Sequence, residues 1–226
     1  VKTPWLYGPY KTTEEAFKRR ARSPEEFSEL LGNHMADAMI DYAIQAAFAS
    51  IDAAIESNAA NMSVAASFAT DHKKAITKGL RTFGDRFGRI SLLAMDSGSY
   101  FDMVDDAIGE KVYEEAGTVI YGGMPGTLGK PVLVTDKAPA SKIFALQPGA
   151  AEIVESQAPG VRGYDINGKG NLMLGYQGEG AFNVDLMGYS YDGAANPNLA
   201  TLGAAANWTK HAASDKMTAG ARIVLS

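Results

Sequence analysis

Residues 89–101 read Arg89-Ile90-Ser91-Leu92-Leu93-Ala94-Met95-Asp96-Ser97-Gly98-Ser99-Tyr100-Phe101. The first half is a short apolar run of strand length, and Asp96 to Ser99 supply the turn chemistry that ends a buried strand. Ser99 and Asp102 form a capping box, which predicts a helix starting at Ser99 with Phe101, Val104 and Ile108 as its apolar stripe and Gly109 as its C-terminal cap. The stretch is a switch point. The pattern is helical before it and β-rich after it.

Upstream, Ser23-Pro24-Glu25-Glu26 combines a capping serine, a proline suited to the first helical position and a capping-box glutamate. Phe27, Leu30, Leu31, Ala38, Tyr42, Ile51 and Ile55 then recur near helical spacing in an Ala-rich run, predicting a helix over 24–57 that ends at Ser57-Asn58. A second helix is expected over 70–84, capped by Thr70 or Asp71, with Ala75, Ile76, Leu80 and Phe83 on one stripe and Gly84 near its end. Downstream, Thr118–Tyr121, Pro131–Thr135, Ile143–Leu146, the Leu172–Gly188 region and Arg222–Leu225 are candidate strands separated by Gly, Pro and Asn. The fold class is α+β.

A chain of 226 residues with 46% hydrophobic residues can bury a substantial core as one domain or as two joined lobes. Its 21 Lys+Arg against 26 Asp+Glu give a net charge of -5, which argues against an electrostatic grip on nucleic acid. There is no cysteine, hence no disulfide and no thiolate metal site. No run of 18 consecutive apolar residues occurs, and Val1-Lys2-Thr3-Pro4-Trp5 is no signal-peptide core, so neither a membrane partner nor secretion is expected. The start at Val1 leaves processing of the N-terminus and absence of the first residues both open.

The residues exclude the common chemistries one at a time. Gly117–Asp136 is glycine-rich and contains Gly129-Lys130, yet Met124 stands where a phosphate loop needs its first glycine. Pro131 replaces the Ser or Thr, and a strand follows where a helix is required. The glycines are expected to serve a turn between strands. His34, His72 and His211 are scattered singly, without metal-ligand spacing. Ser97 and Ser99 follow a strand but lack the glycine elbow of a serine hydrolase, and Ser99 has a structural role as a cap. Asp105-Asp106 and Glu114-Glu115 are adjacent pairs that diverge on a helix and read as solvated faces. Tyr189, Tyr191 and Trp208 lack interleaved basic residues for base stacking. No catalytic, cofactor or metal residue is expected, and the chain does not read as an enzyme.

From about residue 68 onward the order of features resembles the major capsid proteins of tailed bacteriophages, the Hong Kong 97-type fold. Ile90–Phe101 is similar to that family's strand, Met-x-Ser turn and aromatic-bearing helix. Leu128-Gly129-Lys130-Pro131-Val132-Leu133-Val134-Thr135-Asp136 resembles its Gly-x-x-Val-x-Val-x-Asp strand. Lys142–Ala151 resembles its strand followed by Pro-Gly-Ala, and Gly193-Ala194-Ala195-Asn196-Pro197 with Asn207-Trp208 resembles its late Asn-Pro and Asn-Trp.

The resemblance implies a peripheral lobe built on the long helix and β-strands, and an axial lobe of central sheet with flanking helices. The expected division is an N-terminal arm or extended segment at 1–22, a long-helix peripheral lobe at 23–66, an axial lobe at about 67–185 and a return to the peripheral lobe at 186–226. The family also has an extended hairpin ahead of its long helix, for which Val1–Arg22 is the chain available.

The implied function is self-assembly into an icosahedral head shell around double-stranded DNA, with the DNA held only by non-specific proximity. The implied partners are copies of the chain in hexamers and pentamers, and portal, scaffolding or cementing proteins. The implied location is the virion, after synthesis in the cytoplasm of a host bacterium. An encapsulin-like nanocompartment shell, distinguished by protein cargo, and an unrecognised small-molecule-binding or hydrolytic α+β domain are the alternatives. The loops Gly122–Gly129 and Gly193–Asn198 are expected to reach neighbouring subunits.

Overall fold

A computed structural model describes residues 1–20, 24–71, 74–109, 111–115, 118–121, 127–168 and 170–226. The chain opens with strand β1 (Lys2–Thr13), helix α1 (Glu14–Arg20), the long helix α2 (Pro24–Ser57) and the short α3 (Ala59–Met62). Strand β2 (Ser63–Ala66), α4 (Phe68–Asp71), α5 (Lys74–Arg81) and a 3-10 turn (Gly84–Arg89) lead to β3 (Leu92–Met95) and α6 (Ser97–Gly109). Then come β4 (Lys111–Glu115), β5 (Thr118–Tyr121), β6 (Val132–Val134), β7 (Lys142–Leu146), β8 (Ala151–Ile166) and β9 (Met173–Leu186). The chain closes with β10 (Tyr189–Tyr191), α7 (Leu199–Leu202), β11 (Trp208–Lys210) and β12 (Gly220–Leu225).

Two sheets dominate. The order β2-β12-β7-β3-β6 forms a five-stranded sheet in which β7 alone runs against the other four. The order β1-β9-β8 forms an antiparallel three-stranded sheet. Helix α2 is shared between them. Tyr42 meets Phe182 of β9 edge-on at 5.9 Å, and Met35 sits over Gly178, where a Cβ would lie 2.5 Å from the methionine sulfur. Glycine at 178 is therefore what lets the helix approach β9. Phe48, by contrast, packs 5.9 Å from Phe144 of β7, on the five-stranded sheet. At 3.6 residues per turn, residues 42 and 48 lie about 120° apart around the helix. Apolar side chains on two faces explain why the helix lacks a single stripe. Glu29–Ser57 reaches a mean hydropathy of 1.3 and is long enough to cross a membrane. Here its C-terminal half is buried against the two sheets, while Leu30 and Ile40 stay exposed.

The other face of the five-stranded sheet carries α5. Alternation along β12 turns Ile223 toward α5 and Arg222 toward α2. Gly79 of α5 lies so close to Ile223 that a Cβ there would sit 2.4 Å from its Cγ1. Ala75, Ile76 and Leu80 are buried beside it, and Phe83, Phe144, Ile143 and Leu93 continue the core.

Polar contacts tie the helix to the five-stranded sheet. Arg222 is 5% exposed; it donates to Asp52 Oδ1 at 2.7 Å, to Ser63 Oγ at 3.1 Å and to the Glu56 carboxylate. Lys142 Nζ donates to the other Asp52 oxygen at 2.6 Å. A buried guanidinium without such partners is strongly unfavourable, so these contacts set where α2 crosses the sheet. At the end of the helix, Asp215 accepts from Asn58 Nδ2 at 2.8 Å and from Lys210 Nζ at 2.7 Å. The Lys210 and Asn58 hydrogen bonds hold the Asp215 carboxyl below its ordinary value of 3.8.

Several expectations are corrected here. The helix expected over 70–84 is described as α4 and α5 on either side of residues 72–73, which lie outside the described residues, and it ends at Arg81. Gly84, at φ +50, starts the 3-10 turn. Helix α6 begins at Ser97, two residues before the expected Ser99 cap. Leu30 and Ala38 of the proposed α2 stripe are exposed, whereas Ile51 and Ile55 are buried. The Ser23 cap lies outside the described residues, as do the side chains of Glu26 and Phe27. Strands β1, β2, β4, β8, β10 and β11 were not expected. The hairpin β8–β9 pairs with β1 and lies against α2.

Asp52→Ala would leave two cations, one of them buried, short of a partner, and is expected to cost about 3 kcal/mol by urea denaturation. A loss below about 0.5 kcal/mol would show that the clamp is idle. Because the Asp215 carboxyl is held below 3.8 in the folded protein, its contribution is full above that pH and is lost as pH falls through the folded value. Asp215→Asn should therefore be less stable than the native chain at pH 7, with the gap closing below pH 3.8. A gap independent of pH would contradict this.

Candidate assembly surfaces

The residues quoted at the outset form a joint. Strand β6 pairs in parallel with β3, Leu93 opposite Val132 and Met95 opposite Val134, and the Thr135 N–H donates to the Met95 carbonyl at 3.0 Å. That register carries Asp136 to the start of α6, where it accepts from the Ser97 N–H at 3.1 Å. Hydrogen bonds from Ser97 hold the Asp136 carboxyl below its ordinary value. Asp96 completes the cap. It accepts from the Ser99 N–H at 3.3 Å and from the Ser99 hydroxyl at 2.5 Å. Ser99 is 3% exposed, so its hydroxyl is spent inside the fold and not offered to a substrate. An aspartate cap of this kind contributes about 1 kcal/mol to the helix.

The glycine-rich loop is built the same way. Residues 122–126 lie outside the described residues, but Thr127–Lys130 is a turn closed by the Lys130 N–H to the Thr127 carbonyl at 3.1 Å. Leu128 at φ 53 and Gly129 at φ 73 supply its left-handed backbone. The Lys130 ammonium, the candidate phosphate ligand, donates to the Ile90 carbonyl. The strand β6 follows, not a helix.

The remaining sequence candidates do not converge. His34 and His211 are exposed and His72 lies outside the described residues; among the described residues no group of His, Asp or Glu could hold a metal. Asp105 is exposed on α6, and Glu114 and Glu115 lie on β4, not on a helix. Trp208 and Tyr191 stack edge to face with centroids 5.1 Å apart, and Trp208 Nε1 donates to the Leu202 carbonyl at 2.8 Å. Their role is packing. Asn207 Nδ2 donates to the Thr201 carbonyl at 2.9 Å, and Asn198 caps α7 by accepting from the Thr201 N–H at 2.9 Å. In the loop Gly193–Asn198, residues 194–196 and Asn198 are exposed while Pro197 is buried. Gln147 to Ala150 is a tight turn with Gly149 at φ +71.

What the fold leaves open is surface. Strand β8 runs 16 residues as an edge strand and is exposed over nearly all of them, including Ile153, Val154, Val161 and Tyr164. An edge of that length with apolar side chains is a template for further contact. Between β8 and α2 runs an apolar groove of about 270 Å³, lined by Trp5, Met39, Ile40, Ala43, Ile153 and Phe182. On the other sheet, edge strand β6 exposes Leu133 and Val134. Sequence reading found none of these surfaces. It also missed the Arg222 clamp, whose one visible signal was the pair of acids Asp52 and Glu56 four residues apart.

Comparison with known proteins gives one consistent result. The chain is similar to the subunit in the capsid of a native GTA particle, at 13% identity, TM-score 0.52, covering 99% of this chain and 72% of that one. It is also similar to the satellite phage P4 procapsid, at 9% identity and TM-score 0.54 over 100% and 76% of the two chains. The capsid of Myoviridae phage XM1 gives 10% identity and TM-score 0.50 over 100% and 74%. No curated protein matches the chain. The architecture is the α+β fold of Hong Kong 97-type capsids. The model of the Gp13-like family, described as major capsid protein 13-like, matches residues 1–222, and the chain belongs to that family of structural coat proteins.

Proposed function

We propose that this coat protein is the repeating subunit of an icosahedral head shell around the double-stranded DNA of a tailed phage. It works by self-association and performs no catalysis. The observation that carries the reading is the family match over residues 1–222, on a chain whose long edge strand β8 is exposed on both faces. A shell subunit needs many moderate contacts repeated by symmetry, and an unfinished sheet edge supplies one of them. A net charge of -5 suits a lining that leaves packaged DNA mobile, since a strongly basic lining would hold it in a salt-dependent way. The protein resides in the virion after synthesis in the bacterial cytoplasm, and its partners are its own copies in pentamers and hexamers. Portal, scaffolding and cementing proteins are the further partners such a shell calls for.

In this reading the two sheets are two lobes. The three-stranded sheet with the N-terminal part of α2 is peripheral, and the five-stranded sheet with α5 and α6 is axial. We assign residues 151–186 to the peripheral lobe in this division because β8 and β9 share a sheet with β1.

Light scattering and negative-stain electron microscopy of the purified chain test the proposal. Closed shells, or rings of five or six subunits, are expected, with nuclease-protected DNA in particles recovered from infected cells. A monomer at every concentration and salt, with or without a scaffold, would overturn it, and protein cargo in place of DNA would assign a nanocompartment.

A further inference from the structure

The topology of the five-stranded sheet sorts its charges. Strands β2, β12, β3 and β6 run in one direction, so the segments entering them gather at one end and the segments leaving them at the other. The entering end carries the 3-10 turn Gly84–Arg89, exposed along its whole length, with Arg86 and Arg89 on either side of a half-exposed Phe87. The leaving end carries α6, where Phe101 is 61% exposed beside Asp102 and Asp105. On a helix, positions 101, 102 and 105 fall on one side. Asp102 and Asp105 border a cleft of about 460 Å³ that is floored by Phe68, Leu225 and the chain after β2. Among the described residues, neither Arg86 and Arg89 nor Asp102 and Asp105 have an ion-pair partner within the chain. The turn also carries Asp85 beside Arg86, but the Asp85 carboxylate is held by Lys216. Each end thus presents an exposed phenylalanine flanked by two charges that make no salt bridge within the chain, and the two pairs are opposite in sign.

We infer that these two ends meet between copies of the chain: the Arg86-Phe87-Arg89 turn of one subunit seats on the Phe101-Asp102-Asp105 face of the next. This rests on the self-association proposed above and names one contact that carries it. Two different patches on one molecule make a head-to-tail contact, and such a contact repeated by rotation closes a ring. The second copy is chosen by complementarity. The patch that would recognise an acidic, aromatic partner and the patch that would be recognised lie on the same chain, and an aromatic anchor inside a polar rim is a common arrangement at protein interfaces. Charges placed this way steer encounter and fix register more than they add affinity.

Charge reversal tests it in the assembling full chain, with circular dichroism confirming the folded subunit. Asp102→Lys with Asp105→Lys should reduce the assembled fraction about tenfold or more, and Arg86→Glu with Arg89→Glu should do the same, because each juxtaposes like charges. The chain carrying all four changes should assemble as the native one does, since the pair is restored with its signs exchanged. Normal assembly by either double variant would overturn the contact, as would failure of the four-fold variant to recover. If Arg86→Glu with Arg89→Glu assembles normally but yields particles depleted of DNA, the turn serves the nucleic acid instead. Shell formation by the native chain keeps the proposed function standing in all of these cases, so the two readings fail separately.

Discussion

The arrangement depends on one helix serving two sheets. Helix α2 presents Met35 and Tyr42 to the three-stranded sheet and Phe48, Asp52 and Glu56 to the five-stranded one. Its position across the second sheet is set by Arg222, a buried cation that must meet Asp52 and Glu56 to be tolerated there. Hydrophobic contact alone would allow an Ala-rich helix to slide by a turn. The clamp, together with Lys142 on the same carboxylate, selects one crossing. Residues 46–55, buried on nearly every side, are the centre from which both sheets are organised.

The motifs that carry the family resemblance prove to be joints, not sites. Asp136, at the end of one motif, caps the helix that begins another, because β3 and β6 are parallel neighbours in register. The Pro-Gly-Ala turn links β7 to β8, and the Asn-Trp pair closes β10 and β11 over the end of α2. Ser99 and Lys130, the two side chains with catalytic or phosphate-binding precedent, are occupied by Asp96 and by the Ile90 carbonyl. A protein whose most distinctive residues are spent on its own geometry is suited to holding shape under load.

Legibility in the sequence followed burial. Helix α2 could be read to its ends at Pro24 and Ser57, and β3, β5, β7 and β12 could be located, because short apolar runs between turn residues mark them. Strand β8 was invisible because nothing in the monomer buries it: Glu152, Glu155, Gln157 and Arg162 interrupt Ile153, Val154 and Val161 with no period of two. Strand β1 hid behind Pro4, Gly8 and Pro9, which argue against a strand except at an edge, where it lies. The same physical fact that makes β8 illegible makes it informative. A long exposed strand lacks pattern because no core of its own chain lies against it.

The core around α2 is finished in the single chain, whereas in the proposed shell the outer sheet is finished only by neighbours. Amide hydrogen exchange on the isolated subunit and on the assembled shell tests this most directly. Residues 46–55 should exchange slowly in both states, and residues 151–166 should gain protection on assembly. Equal protection of 151–166 in both states, or rapid exchange of 46–55 in the isolated chain, would contradict it.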